Sequence, residues 1–105
     1  MMSNTSESAK AKYDMVLIGH ESIQEAEESA QVLSRLGARS YKLLADCVES
    51  TGVKRKELSA AAKALEDAGF LFVRDIGNIW DSEFQLLPTL AGEEALLVLD
   101  EMREG

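Results

Sequence analysis

The spacing of apolar residues changes at Gly69, and this change limits the folds that the chain can adopt. Over residues 54–68, apolar residues recur at three- and four-residue steps, which is typical of one apolar helix stripe. Residues 70–73 are instead rich in strand formers, and residues 79–87 can return as a second strand after a turn at 76–78. Since glycine commonly closes a helix, the sequence predicts a mainly α-helical domain with one β-hairpin.

Three further helices are predicted from the same periodicity. The first covers residues 21–36 and ends at Gly37, and the second covers residues 39–49. The last helix follows the hairpin, with Thr89 as its N-cap. Three helices therefore precede the hairpin and one follows it.

The length and composition are typical of one globular domain. The chain has 105 residues, of which 46% are hydrophobic and 29% charged. Residues 1–12 lack apolar periodicity and are predicted to be a disordered N-terminal tail, which leaves residues 13–105 as a single domain. No run approaches the roughly 18 apolar residues of a membrane span, and no secretory leader pattern is present. We therefore expect a cytoplasmic chain without a membrane segment.

Few residues are suited to catalysis or metal binding. Cys47 is the only cysteine and His20 the only histidine, which excludes an intramolecular disulfide and leaves a Cys/His zinc site short of ligands. Cys47 is expected in the core, and His20 can cap the helix that follows it. The acidic pairs Glu66-Asp67 and Glu93-Glu94 are expected to be solvated, since adjacent helix positions do not converge. The sequence predicts no enzymatic activity, no metal and no cofactor.

Charge is distributed unevenly along the chain. The chain has eleven basic and nineteen acidic residues, which gives a net charge of −8. The segment from Arg35 to Lys63 holds seven basic and three acidic residues and is therefore +4, whereas the remainder is −12. This asymmetry indicates a basic face that meets nucleic acid or an acidic partner, although ordinary solvated helix faces give the same pattern.

Three short motifs resemble the winged helix-turn-helix transcription regulators of the MarR and PadR type. Lys-Glu-Leu-Ser at 56–59 is similar to the "ELA" that opens a family helix. Leu-Glu-Asp-Ala-Gly-Phe-Leu at 65–71 is similar to the "LEexGLI" that ends the recognition helix, and Leu-Pro-Thr-Leu-Ala-Gly at 87–92 to the "LTxxG" after the wing. The resemblance covers residues 39–97. It implies three helices, a two-stranded wing and a C-terminal helix.

The chain departs from this family pattern in two places. The first two motifs are too close together to hold the family's intervening turn and helix, so either that helix is deleted or the register is different. In the second register Gly52 is the turn glycine and residues 54–68 are the recognition helix, and we favour it because it needs no missing element. The wing carries Asp81-Ser82-Glu83 where regulators of this kind often have a basic Asp-x-Arg. An acidic wing would be repelled by a phosphate backbone.

The resemblance implies that helix 54–68 enters the major groove of double-stranded DNA. Ser59 and Lys63 are then expected nearest the base edges, and the basic run 54–56 towards phosphates. The candidate DNA-binding residues are Arg39, Lys42, Lys54, Arg55, Lys56, Ser59, Lys63 and Arg74.

Two hypotheses about function follow. The first is a DNA-binding transcription regulator that reads DNA as a homodimer through its first and last helices. Leu96 and Leu97 leave the main stripe of the last helix and indicate a second buried surface, which is equally an intrachain contact or the dimer interface. The second is a winged-helix protein-interaction module whose acidic wing and C-terminal helix bind a partner protein. Trp80, in the predicted wing, is either a core anchor beneath the hairpin or an exposed contact, and we favour the core because Ile79 and Phe84 beside it would supply a packed hairpin.

Overall fold

The computed structural model describes residues 17–104, which form a small, mainly helical domain with a three-stranded antiparallel sheet. The elements are α1 (Ile23–Leu36), α2 (Ala38–Glu49), β1 (Val53–Arg55), α3 (Ala60–Asp67), β2 (Leu71–Asp75), β3 (Phe84–Pro88) and α4 (Leu90–Glu104). The predicted combination of a helix-rich domain and a β2–β3 hairpin is confirmed. The predicted tail, residues 1–12, and the first residues of the predicted domain, 13–16, lie outside the described part of the chain.

The predicted helix over 54–68 is wrong in its first half. Val53–Arg55 forms strand β1, in which Val53 pairs with Leu86 of β3. Helix α3 begins only after Ser59, whose Oγ accepts a hydrogen bond from the Ala62 amide at 3.1 Å. Pairing with a strand some thirty residues further along the chain overrides the local helical pattern. The second register is therefore wrong, since strand β1 and the turn after it occupy residues that this register assigns to the recognition helix.

Strand β3 is the centre of the sheet, with β1 and β2 on either side. Val53, Leu86 and Val73 are aligned across the three strands and pack in or against the core. The neighbouring row consists of Lys54, Gln85 and Arg74. Because side chains alternate along a strand, Lys54 and Arg74 flank Gln85 on the outer face of the sheet.

Helix α4 packs chiefly against α1 and buries residues on most of its sides. Leu96 is 6% exposed within the chain's own core, whereas Leu97 is 51% exposed. Leu96 was one of the two leucines that suggested a dimer interface. Its burial is explained by packing within the chain. Val98 and Leu99 on the other sides of α4 are also buried.

The connection from α3 to β2 and the connection from β3 to α4 are short and contact each other. Gly69 has a φ of +84° and closes α3 as predicted, because this conformation favours glycine. The Thr89 hydroxyl donates to the Gly69 carbonyl at 2.7 Å and accepts from the Gly92 amide at 2.9 Å, which confirms Thr89 as the N-cap of α4. At Gly92 a Cβ atom would lie 2.2 Å from the Phe70 carbonyl oxygen, so the backbone of α4 directly contacts the backbone of the residue that precedes β2.

Candidate functional site

Residues 76–83 form a hairpin loop between β2 and β3 that is fixed by its own hydrogen bonds. The Ile76 amide donates to the Glu83 carbonyl and the Asn78 amide to the Asp81 carbonyl, each at 2.9 Å. The Asn78 side chain accepts from the amides of Trp80 and Asp81 at 2.8 and 3.0 Å. Such side-chain-to-backbone bonds are characteristic of Asx turns. They fix the course of the loop backbone.

The hairpin loop presents two large apolar side chains to solvent. Trp80 is 87% exposed and Ile79 is 89% exposed. The prediction that Trp80 packs in the core is therefore wrong. The core contacts of the hairpin end at Phe84, since the Asn78 turn places residues 79 and 80 at the tip of the loop, beyond the paired strands.

Acidic side chains surround this apolar tip. Asp75, Asp81 and Glu83 lie at the base or within the hairpin loop. Lys56 Nζ lies 2.6 Å from Asp81 Oδ2, and both side chains are exposed. The hydrogen bond to Asp81 raises the pKa of Lys56, so the lysine stays charged and offsets one of the three acids. After this offset, the carboxylates of Asp75 and Glu83 leave the surroundings of the tip negatively charged.

An open cleft of about 470 Å³ lies between α2 and α3. It is lined by Leu36, Arg39, Ser40, Leu43, Ser59, Ala60, Ala61 and Ala64. The wall from α3 consists of alanines, whose short side chains leave space between the two helices. Arg39 is exposed and is the only charged residue among the described residues that line the cleft. The cleft is therefore an apolar depression with a basic side chain at its edge.

The candidate DNA-binding residues are divided among three places. Arg39 and Ser59 both line the cleft, and the Ser59 hydroxyl is the N-cap of α3. Lys42 and Lys63 are exposed on α2 and α3 respectively. Lys54 and Arg74 lie on the outer face of the sheet.

Arg55 and Lys56 complete this set and follow Lys54 in the chain. Arg55 donates from Nη1 to the Lys54 carbonyl at 3.0 Å. Lys56 is engaged with Asp81. The basic run 54–56 thus belongs to β1 and the turn after it, and not to a helix that could lie in a groove of DNA.

Glu94 is the centre of a buried polar network that the sequence did not predict. The amides of Ile18 and Gly19 donate to Glu94 Oε2, the latter at 2.8 Å. His20 Nδ1 lies 2.8 Å from Glu94 Oε1, and His20 Nε2 lies 2.8 Å from Ser29 Oγ. Glu94 is only 6% exposed, so the prediction of a solvated Glu93-Glu94 pair is wrong for this residue.

The network fixes the ionisation state of Glu94. Burial raises the pKa of Glu94, but the hydrogen bonds from the Gly19 and Ile18 amides and from His20 lower it more, and the pKa falls below its ordinary value. An ionised carboxylate only accepts, so the His20 Nδ1–H group donates to Glu94 Oε1. The predicted capping role of His20 is also wrong, because Ser22 caps α1 by accepting from the Glu25 amide at 3.2 Å.

The hydrogen-bonded series Ser29–His20–Glu94 resembles a hydrolytic triad, but the residues around it do not support catalysis. Ser29 lies in the middle of α1, where its amide is part of the helix. The nearby amides of Ile18 and Gly19 already donate to Glu94 and cannot stabilise an oxyanion. The network instead ties residues 18–20 to α1 and α4. No local signal links His20 to Glu94, which lies 74 residues further along the chain.

Comparison of the chain with protein-family models, with curated proteins and with solved structures found no match. Over residues 17–104, no three side chains of His, Cys, Asp or Glu are grouped so that they could hold a metal ion. Within the same range, none of the helices combines the length and the apolar character that crossing a membrane requires.

Proposed function

We propose that this chain is a protein–protein interaction module that docks through its hairpin loop. The observation that carries the proposal is the nearly complete exposure of Trp80 and Ile79 side by side on a loop with its own hydrogen bonds. Large apolar side chains that are exposed together mark interaction sites, and tryptophan is enriched among the residues that dominate binding energy. A loop held by internal bonds also loses little conformational freedom on binding.

The charges around the tip define the chemistry of the partner. Asp75 and Glu83 would meet a basic surface, and the apolar tip would enter a pocket within that surface. Asp81 contributes less, because Lys56 lies 2.6 Å away.

The element order supports a winged helix that lacks one helix. Helices α2 and α3, the β2–β3 hairpin and α4 follow one another as the resemblance implies, except for the family's extra turn and helix before α3; strand β1 is an addition that the resemblance did not imply. This corresponds to the first of the two registers, in which that helix is deleted. The hairpin loop is then the wing.

Site-specific photo-crosslinking in the cell of origin tests the docking role. Benzoylphenylalanine in place of Trp80 should give one discrete adduct with another polypeptide, because the tip is buried in the complex. The same probe at Leu97, a large apolar residue that is 51% exposed on α4, is the matched control and should give no such adduct. Reversing two acids with D75K and E83K should remove the adduct at position 80. Equal labelling from positions 80 and 97, or none from either, would exclude docking through the loop.

DNA binding is the second candidate, and the outer face of the sheet favours it. Lys54 and Arg74 flank Gln85 there, while Lys63 is exposed on α3. Two cations beside an amide can contact phosphates and a base edge. Fluorescence anisotropy with a labelled random duplex at about 50 mM salt is the test, since phosphate contacts are strong there. The double variant K54A/R74A should weaken binding, and absence of binding by the wild type would exclude this function.

A further inference from the structure

We propose that the partner of the hairpin loop is a second copy of this chain, whose α2–α3 cleft receives Ile79 and Trp80. This inference rests on the proposed docking role of the loop. It joins the two most exposed large apolar side chains of the described residues, which form a protruding tip, to an apolar depression. Each would bury what the other leaves exposed to water.

The cleft suits the tip in size and polarity. Its volume of about 470 Å³ lies within the range of about 300 to 1,000 Å³ that holds a compact apolar group. Leu36 and Leu43 supply large apolar surface, and the alanines of α3 leave room for a ring. Ser40 and Ser59 also line the cleft; Ser40 is buried, and the Ser59 hydroxyl accepts a hydrogen bond from within α3. An indole with one polar N–H is well matched to such a lining.

Charge complementarity points to the same pair of surfaces. Arg39 lines the cleft, and Lys63 is exposed one helical turn from Ser59. Asp75 and Glu83 flank the tip that would enter. A basic edge around the depression and an acidic collar around the tip attract each other and set the orientation of the complex.

The position of the loop favours a reciprocal exchange between two copies. The Lys56–Asp81 contact holds the loop beside the segment that leads to Ser59 at the cleft. Three residues separate Lys56 from Ser59 and span at most about 11 Å, so the loop is tethered near the residue that begins the α3 wall of the cleft. Two copies related by a twofold axis can then insert each loop into the other's cleft. Such a contact is closed and self-complementary.

Trp80 reports this contact directly, because it is the only tryptophan of the chain. With increasing protein concentration, its fluorescence emission should shift to the blue as the ring leaves water. Light scattering should show the 11.5 kDa monomer becoming a dimer over the same concentrations. The A60E substitution places an acid in the cleft lining at an exposed position and should weaken the dimer at least about tenfold. The Q31E substitution, on the exposed side of α1, makes the same charge change and should leave the dimer intact.

Mixing two variants separates the loop from the cleft. W80A keeps the cleft and emits no tryptophan fluorescence, whereas A60E keeps Trp80 and has a blocked cleft. Adding W80A to A60E should therefore shift the emission of A60E to the blue, and adding the double variant W80A/A60E should not. A dimer that is unaffected by both W80A and A60E, or a monomer at high micromolar concentration, overturns the proposal. If position 80 then crosslinks to a different protein, the docking role stands and only the second copy is excluded.

Discussion

Replacement of Glu94 should destabilise the domain strongly, although this residue is one of nineteen acids in the chain. Three donors converge on its carboxylate: the amides of Ile18 and Gly19 and the His20 ring. Hydrogen bonds to a charged group contribute about 1.5 to 3 kcal/mol each, so the lower figure gives about 4.5 kcal/mol for the three. In the variant, residues 18–20 can detach and form hydrogen bonds with water, which recovers part of this free energy. For E94A we expect a loss of about 3 kcal/mol of unfolding free energy.

Urea denaturation at neutral pH measures this loss. E94Q keeps the shape and one acceptor of the side chain, and it should lose about half as much as E94A. E101A is the control, since Glu101 is exposed on the same helix, and its unfolding free energy should stay within about 0.5 kcal/mol of the wild type. If E94A and E101A were equally stable, the network would not hold the N-terminal segment to α4.

The pH dependence provides a second measure of the same contact. The folded-state pKa of Glu94 lies below the ordinary 4.5, because donated hydrogen bonds outweigh burial. A depressed carboxyl pKa stabilises the fold above the unfolded-state value, and this stabilisation is lost as pH falls through the folded-state pKa. The stability difference between wild type and E94Q should therefore shrink as the pH falls from about 7 to about 3. A difference that stays constant over this range would contradict the assignment.

Three further outcomes follow from the structure. G92A should lower the unfolding free energy by more than about 2 kcal/mol in urea denaturation, since its Cβ would lie 2.2 Å from the Phe70 carbonyl oxygen, and a G92A variant as stable as the wild type would refute this close approach. W80A should change the unfolding free energy by less than about 0.5 kcal/mol, because the ring is 87% exposed, whereas a core tryptophan would lose several times more. Burial raises the pKa of the Cys47 thiol more than Arg55 lowers it, so Cys47 should react with Ellman's reagent only in denaturant.

The sequence alone predicted those features that depend on neighbouring residues. Helices α1 and α2 follow from apolar spacing, and Gly69 and Thr89 mark boundaries through their own backbone and side-chain chemistry. The burial of Cys47 followed from its position on an apolar helix face. Periodicity and capping act within a few residues, so a single sequence carries enough information to place them.

Only the tertiary structure decided the features that join distant segments. Val53–Arg55 is a strand because Phe84–Leu86 lies beside it, although the local pattern favours helix. Glu94 is buried because residues 18–20 supply donors from the other end of the chain. Trp80 is exposed because the pairing of β2 with β3 ends at Asp75 and Phe84, which leaves residues 76–83 as a loop beyond the sheet. In each case a contact between residues far apart in sequence, or the course of a folded loop, outweighs local preference, and no spacing rule encodes it.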